Sequence, residues 1–221
     1  MSYPELDALR AQVVQLEGVL DDIAPGAWGR PTRCTEFDVR ELTAHLGGAL
    51  SRYASLVGAG PAPARTHDRV RWWTLRDPDE RSPIIAKLTK EAAGDQPGER
   101  IRDFTLKAAH GLTDALDRDP VDLVGTEEVG IEVREMAAVA VLESGVHTMD
   151  LGHALARGER LAREASELIV SVLDTIVGEP LPVSLGWTPR TLILTATGRR
   201  DLLPNERWTL GSLADRFPII R

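Results

Sequence analysis

The spacing of apolar residues constrains this chain most, because over much of the first 157 residues they recur every three or four positions, and no strand pattern occurs there. Four long segments show that spacing, at residues 3–24, 36–57, 98–117 and 133–157. Apolar side chains three and four positions apart lie on one face of a helix. Four long helices with apolar faces are typical of a helix bundle. The sequence therefore predicts a mainly α protein built on a four-helix bundle.

Capping residues predict where these helices begin and end. Ser2 can cap the first helix, with Glu5 completing a capping box. Thr35 can cap the second, with Asp38 three positions further on in the box position. Gly158 is well placed as the residue that ends the fourth. We therefore expect the first two helices to start directly after Ser2 and Thr35.

The segment between the second and third long helices is expected to be irregular. Glycine and proline interrupt residues 58–81, which predicts a long loop, and a short helix should follow over about 82–94. Trp72 and Trp73 lie inside the predicted loop. Two such side chains pack against the body of a protein more often than they form a binding platform, and both interpretations stay open.

The last quarter of the chain has a different pattern. One more helix is expected at 160–177, followed by alternating, β-branched residues at 191–198, TLILTATG, which are typical of a strand. Residues 206–211, ERWTLG, could pair with that strand. The predicted organisation is a helix bundle over 1–158 and a small C-terminal α/β segment over 159–221.

Charge and composition exclude several classes of protein. The 221 residues include 26 basic and 34 acidic ones, a net charge of −8, which disfavours binding to the phosphate backbone of nucleic acids. No apolar run approaches the ~20 residues of a spanning helix, and the acidic start of the chain is unlike a signal peptide. A single cysteine fits a reducing compartment and excludes a cysteine-rich zinc site. We expect a cytoplasmic protein without nucleic-acid or membrane partners.

Polar residues inside two apolar stripes are the strongest functional signal. Glu143 and His147 are four positions apart on one helical face, Asp150 continues that face, and His45 lies in the stripe of the second helix. A buried carboxylate needs a cation or strong donors. Two histidines and one carboxylate are a ligand set typical of catalytic zinc and non-haem iron. The alternative is a surface Glu–His pair beside an ordinary core histidine, and spacing alone leaves both open.

Two motifs resemble those of a known family. Residues 31–46, PTRCTEFDVRELTAHL, are similar to the N-terminal motif of the mycothiol-dependent maleylpyruvate isomerase family, with Phe37 where that family usually has Trp. Residues 141–155, VLESGVHTMDLGHAL, resemble its second motif, with Met149 replacing another Trp. The ending at 195–220 also looks like the C-terminal segment of many members.

The resemblance implies a DinB-like four-helix bundle that binds a divalent metal, with zinc as the expected ion. Matched by motif, the ligands would be His45, Glu143 and His147. Asp150 matches the family's Asp, and its role is open between support of a ligand histidine and a cap or salt bridge. Characterised members use a low-molecular-weight thiol, mycothiol, as cosubstrate.

Three further residues near these motifs could take part in chemistry. Cys34 precedes a helix, where a thiolate would be stabilised, although the family carries a cysteine here as part of a structural loop. Arg199 and Arg200 end the predicted strand, and one of them could bind a substrate carboxylate at the mouth of the site. Asp150 and Arg199 are thus weak catalytic candidates, and ordinary surface charge is the alternative for both arginines.

The expected function is a metal- and thiol-dependent isomerase or thiol transferase acting on a small electrophile that could bear a carboxylate. A coordinated thiol is deprotonated and supplies a nucleophile at neutral pH. Two alternatives stay open at this point: a non-catalytic metal- or ligand-binding bundle, and a metal-dependent hydrolase. The expected partners are a small-molecule substrate and the thiol, and the chain is expected to be a monomer or a homodimer.

Overall fold

Helices dominate residues 2–74, 78–178 and 183–220, which the computed structural model of the chain describes. Two strands, β1 (Leu123–Gly125) and β2 (Gly130–Glu132), pair antiparallel, and 3-10 turns lie at Pro25–Ala27, Val183–Leu185 and Gly211–Arg216. The helices in chain order are α1 (Pro4–Asp21), α2 (Val39–Gly58), α3 (Arg69–Thr74), α4 (Pro78–Ala93), α5 (Gly98–Ala115), α6 (Val133–Ala154), α7 (Arg163–Val177), α8 (Pro189–Ala196) and α9 (Pro204–Leu210).

The predicted mainly α bundle is confirmed, with α1, α2, α5 and α6 as its long helices. α2 packs against α5 and α6, and α1 packs against α6 and α7. Across the three described stretches, none of the helices combines the length and the apolar character needed to cross a membrane.

Helix α6 is the centre of the bundle and is buried on nearly every side. A helix that is apolar all round belongs in a core, and between Val133 and Gly152 only Arg134 is exposed. Small residues let its neighbours approach closely. A Cβ added at Gly145 would lie 2.7 Å from Ile169 Cδ1 of α7. Because nearly the whole surface of α6 is covered, each buried polar side chain on it needs a partner inside the protein.

The contact between α2 and α5 orients α2. A Cβ added at Gly47 would lie 2.5 Å from Thr105 Oγ1 of α5, so side chains of α5 pack directly against the backbone of α2 at this glycine. The Thr105 hydroxyl donates to the Thr43 carbonyl at 2.9 Å, which ties the helices together at that point. His45, two positions before Gly47, therefore lies about 200° around α2 from the close contact with α5.

Helix α2 begins three residues later than predicted, at Val39, because its cap is Asp38 rather than Thr35. The Glu41 N–H donates to Asp38 Oδ1 at 2.7 Å, and the Asp38 N–H donates to Glu41 Oε2 at 3.1 Å, which forms a capping box. The residues before it form a turn held by the Thr32 hydroxyl, which bonds the Phe37 carbonyl at 2.8 Å. Thr35 lies inside this turn and cannot cap the helix.

The other two predicted helix ends were also wrong. Helix α1 is preceded by Tyr3, without a side-chain cap, because the Ser2 hydroxyl donates to Asp7 instead. Helix α6 ends at Ala154 rather than next to Gly158, since the chain turns through a left-handed residue at Ala156 with φ of 57°. In both cases the local capping signal lay near the true end but did not determine it.

The predicted loop at 58–81 contains regular structure. Asp68 Oδ1 accepts from the N–H groups of Val70 and Arg71, at 2.9 and 2.8 Å, and so starts the short helix α3. Helix α4 already starts at Pro78, before the expected 82. The hairpin of β1 and β2 lies in a region where no strand was expected.

The strands predicted at 191–198 and 206–211 were wrong, and helices α8 and α9 stand in their place. The Thr188 hydroxyl caps α8 by accepting from the Thr191 N–H, and Pro189 occupies the first turn. At the start of α9, the Glu206 side chain accepts from the N–H of Leu203, the residue before the helix, at 2.9 Å. Capping and packing of the apolar face override β-branched propensity here. Among its described residues the C-terminal segment is helical rather than α/β.

The capping box of α2 gives a direct test of this helix start. Asp38→Ala should lower the free energy of unfolding by about 1 kcal/mol, because it removes the side chain that accepts from the Glu41 N–H. Thr35→Ala is the matched control and should have a much smaller effect. Urea denaturation measures both, and an equal loss in the two variants would contradict the observed cap.

Candidate metal centre

Helices α2 and α6 bring three ligand-type side chains together in the bundle. His45 comes from the middle of α2, while Glu143 and His147 lie one turn apart on α6. Glu143 Oε1 is 3.0 Å from His45 Nε2 and 3.7 Å from His147 Nε2. One donor atom from each residue lies within 4.8 Å of the other two, so the cluster can hold a metal ion.

Aromatic contacts orient the two imidazoles. The ring of Phe37 stacks on His45, with centroids 5.3 Å apart and planes 21° apart. His45 and His147 meet edge to face at 5.0 Å. Phe37 therefore covers one face of the His45 ring.

The donor set suits a divalent cation. The Glu143 side chain is only 8% exposed and lies between two imidazoles, in a place where an anion is costly without a cation or strong donors. Burial lowers the pKa of His147 and so favours the neutral imidazole, which is the form that ligates metals. Its Nδ1 lies 3.3 Å from Asp150 Oδ2. A proton on Nδ1 leaves the lone pair of Nε2 directed at the centre of the cluster.

Asp150 is fully buried and joins the cluster to two arginines. Besides His147, it accepts from Arg199 Nη2 at 2.9 Å and Arg199 Nε at 3.2 Å, and Arg33 Nε is 3.6 Å away. Burial by itself would raise the pKa of Asp150, but the hydrogen bond from His147 and the charge of Arg199 hold it below its ordinary value. Of the two roles left open by the sequence, the structure has Asp150 in contact with the histidine and in a buried salt bridge at once.

The two arginines expected near the site behave differently. Arg199 reaches the cluster, where it pairs with Asp150 and also donates to the Thr197 carbonyl at 2.6 Å. Arg200 turns away and bonds Glu206 at 2.7 Å, which lowers the pKa of that carboxyl to about 2. Arg199 therefore belongs to the site, whereas Arg200 secures the C-terminal helices.

Arg33 is a site residue that sequence reasoning missed. Its Nη1 is 2.5 Å from Glu159 Oε1, its Nη2 donates to the Met149 carbonyl at 3.3 Å, and Glu159 also pairs with Arg190 of α8. The only available signal was its position inside the 31–46 motif. Through this chain of ion pairs the loop before α2, the end of α6 and the C-terminal segment are joined at Asp150.

A cavity of about 540 Å³ opens next to the cluster. Its volume falls within the range of small-molecule sites, ~300–1,000 Å³. Metal-ligand candidates and other charged side chains both line it, so a bound molecule would meet both. The lining includes His45, Glu143, His147, Arg33, Arg199 and Cys34.

Cys34 faces this cavity without the character of a nucleophile. Burial raises the pKa of its thiol to about 12, against the opposing charge of Arg199. At neutral pH the side chain is a thiol rather than a thiolate, and only the thiolate attacks carbon. The stabilised thiolate considered for the helix start is thus not favoured by the environment that the fold provides.

Alkylation of Cys34 tests this environment. In the native protein at pH 7.5, iodoacetamide should label Cys34 at least about a hundredfold more slowly than in urea, because an ordinary thiol has a pKa of about 8.5. The native rate should keep rising with pH well beyond 9. Mass spectrometry gives an unambiguous readout, since the chain has one cysteine. Equal native and unfolded rates would contradict the raised pKa.

Comparison with known proteins identifies one match. A family model described as the mycothiol maleylpyruvate isomerase N-terminal domain matches residues 9–152. That stretch contains all three residues of the cluster and Asp150. No curated protein and no solved structure matches the chain.

Proposed function

Because the chain belongs to the family of the mycothiol maleylpyruvate isomerase N-terminal domain, we propose that it is a divalent-metal- and thiol-dependent enzyme. The ligands would be His45, Glu143 and His147, the ion zinc, and the thiol mycothiol. The reaction would be an isomerisation or a thiol transfer on a small electrophile. The observation that carries this proposal is the convergence of three donor atoms within 4.8 Å, on residues that line a cavity.

A bound divalent ion would supply one thing, a lower pKa for a coordinated thiol, so that a thiolate is present at neutral pH. The protein's own residues do the rest. Asp150 holds the ring of His147, and Arg199 and Arg33 in turn hold Asp150 as a carboxylate. A histidine supported in this way keeps its orientation, which a ligand needs.

Neither the isomerisation nor the thiol transfer needs a reagent besides the thiol and the electrophile. In the isomerisation, the thiolate sulfur forms a bond to one carbon of an activated double bond, and the electron pair moves onto the neighbouring carbonyl system. Rotation about the new single bond follows, the C–S bond breaks, and thiolate and double bond are restored. In the transfer, the C–S bond stays, a leaving group departs with its electron pair, and the thiol proton goes to solvent.

Arg199 has donor capacity left for a substrate. Its guanidinium has five N–H groups, of which Asp150 and the Thr197 carbonyl take three in this structure. Since the guanidinium stays protonated at all relevant pH values, its part would be to bind and orient. We assign it to positioning of Asp150 first, and its remaining donors would be available to a molecule bound in this cavity.

Metal content is the first test. Chain purified without chelator should contain about one divalent ion, zinc, and a protein that also refuses added zinc would contradict the proposed site. Glu143→Ala and His147→Ala should each lower metal affinity by orders of magnitude, and Asp150→Ala by about 10–100-fold.

The exposed His153 on the same helix supplies the matched control, since His153→Ala should keep the metal. Chelator should lower the melting temperature of the wild type more than that of His147→Ala, because an ion that binds only the folded state adds to its stability. Equal metal retention in all four variants would contradict the assigned helix face.

Thiol binding is the second test. In the cobalt-substituted protein, added mycothiol should produce a thiolate-to-metal charge-transfer band and release protons near neutral pH, because a free thiol has a pKa of about 8.5. His45→Ala should show no band. Cys34→Ser should keep it, which shows that the sulfur is not the protein's own.

A fully metallated protein without this band would remove the thiol-dependent function and leave the metal site. In that case, a metal-bound water titrating near pH ~7 would favour a hydrolase. If the charge-transfer band and the titrating metal-bound water were both absent, a non-catalytic bundle would be favoured.

A further inference from the structure

A second cavity lies on the other side of the metal-ligand cluster. It has a volume of about 380 Å³ and shares His45, Glu143, Trp73 and Ile85 with the first cavity. These four residues form a wall between the two spaces. The candidate metal centre therefore borders two separate spaces, and each of them could hold one of two reacting molecules.

The two cavities differ in chemistry. Arg33 and Arg199, in the first, are both paired with buried acids. The second is lined mostly by apolar and aromatic side chains from α2, α3 and α4, including Trp72, Trp73 and Leu88. A flat apolar molecule suits the second cavity better than the first.

Arg52 is the arginine of this lining, which also has polar side chains at His45, His67, Thr89 and Glu143. Its guanidinium carbon lies 6.0 Å from the centroid of the Trp72 ring, within the range of a cation–π contact. Among the described residues no carboxylate forms an ion pair with it. A cation above an aromatic ring, without an acid beside it, is complementary to an incoming carboxylate.

The geometry of α2 sets the spacing between Arg52 and the metal-ligand cluster. His45 and Arg52 are seven positions apart on one face of the helix, which is about 10 Å along its axis. Between them Gly48 leaves the floor of the cavity open, since a Cβ added there would meet nothing within 4 Å. That distance accommodates one aromatic ring and a short chain.

We propose that the second cavity binds the electrophilic substrate as an aryl carboxylate, with the carboxylate on Arg52 and the reactive end at the His45–Glu143 wall. This inference rests on the proposed function, because the thiol is taken to enter through the first cavity. It goes further by naming the class of substrate and Arg52 as the residue that determines specificity.

The probe for this proposal is 3-phenylpropionate, which has the required ring and carboxylate but no reactive double bond. Calorimetric titration without any thiol, on metal-loaded and on chelator-treated protein, should give the same dissociation constant for both forms. Arg52→Gln should weaken binding about tenfold, and the neutral 3-phenylpropionamide should not distinguish that variant from the wild type. Gly48→Leu should weaken both ligands at least tenfold, because the new side chain fills the cavity.

Matched controls lie on exposed positions outside the cavity. Arg71→Gln removes another exposed arginine, and Gly111→Leu places the same side chain on α5, where a Cβ also meets nothing within 4 Å. Both should bind the probe like the wild type.

Three results would overturn the proposal: no measurable binding, unchanged affinity in Arg52→Gln, or binding that requires the metal, which would mean that the carboxylate ligates the ion. Because no thiol is present and metal-free protein is included, failure of the metal or thiol tests leaves this measurement interpretable.

Discussion

The burial of two carboxylates on one central helix is the constraint on which the rest of the structure depends. Glu143 and Asp150 lie on α6, which is covered on nearly every side, so water can solvate their charges only poorly. A buried unpaired carboxylate costs several kcal/mol. Asp150 is compensated by His147 and two arginines. Glu143 lies between two imidazoles, an arrangement that a divalent cation would complete.

Compensation of Asp150 also explains how distant parts of the chain become one site. Arg33 comes from the loop before α2 and Arg199 from the segment after α8, and they approach the same carboxylate from different elements. Glu159 extends the network by pairing Arg33 with Arg190. The C-terminal segment, which follows the part of the chain matched by the family model, thus adds the positive charge of Arg199 to that of Arg33 at this carboxylate.

The same compensation makes the two cavities unequal. On one side of the cluster the arginines are committed to acids of the protein, whereas on the other Arg52 stands over an aromatic ring among apolar side chains. Under the proposed function, this asymmetry would separate the thiol from the electrophile and bring both to the metal centre. Helix α2 places these surfaces on different sides. Gly47 lies against α5, whereas the next residue, Gly48, lines the second cavity.

Local pattern was sufficient for the long helices and for the candidate cluster. Helical spacing depends on neighbouring residues, so it predicted α1, α2, α5 and α6, and it placed Glu143 and His147 on one face. The sequence also singled out His45 and Asp150, because polar residues within an apolar stripe need a reason to be there. Whether a metal binds to them stays a prediction that spacing and geometry together support.

Tertiary structure decided what depends on contacts distant in sequence. Residues 191–198 have strand propensity, yet a helix cap at Thr188 and an apolar face against the core make them helical. Arg33 gave no signal of its own, since its partner Glu159 is 126 positions away. Arg199 and Arg200 are neighbours with identical side chains, and only the packing of the C-terminal segment sends one to Asp150 and the other to Glu206. Sequence pattern therefore determined which long helices form and which residues on them are chemically unusual. The partners of those residues follow from three-dimensional packing, because an ion pair requires the whole fold to bring two charges together.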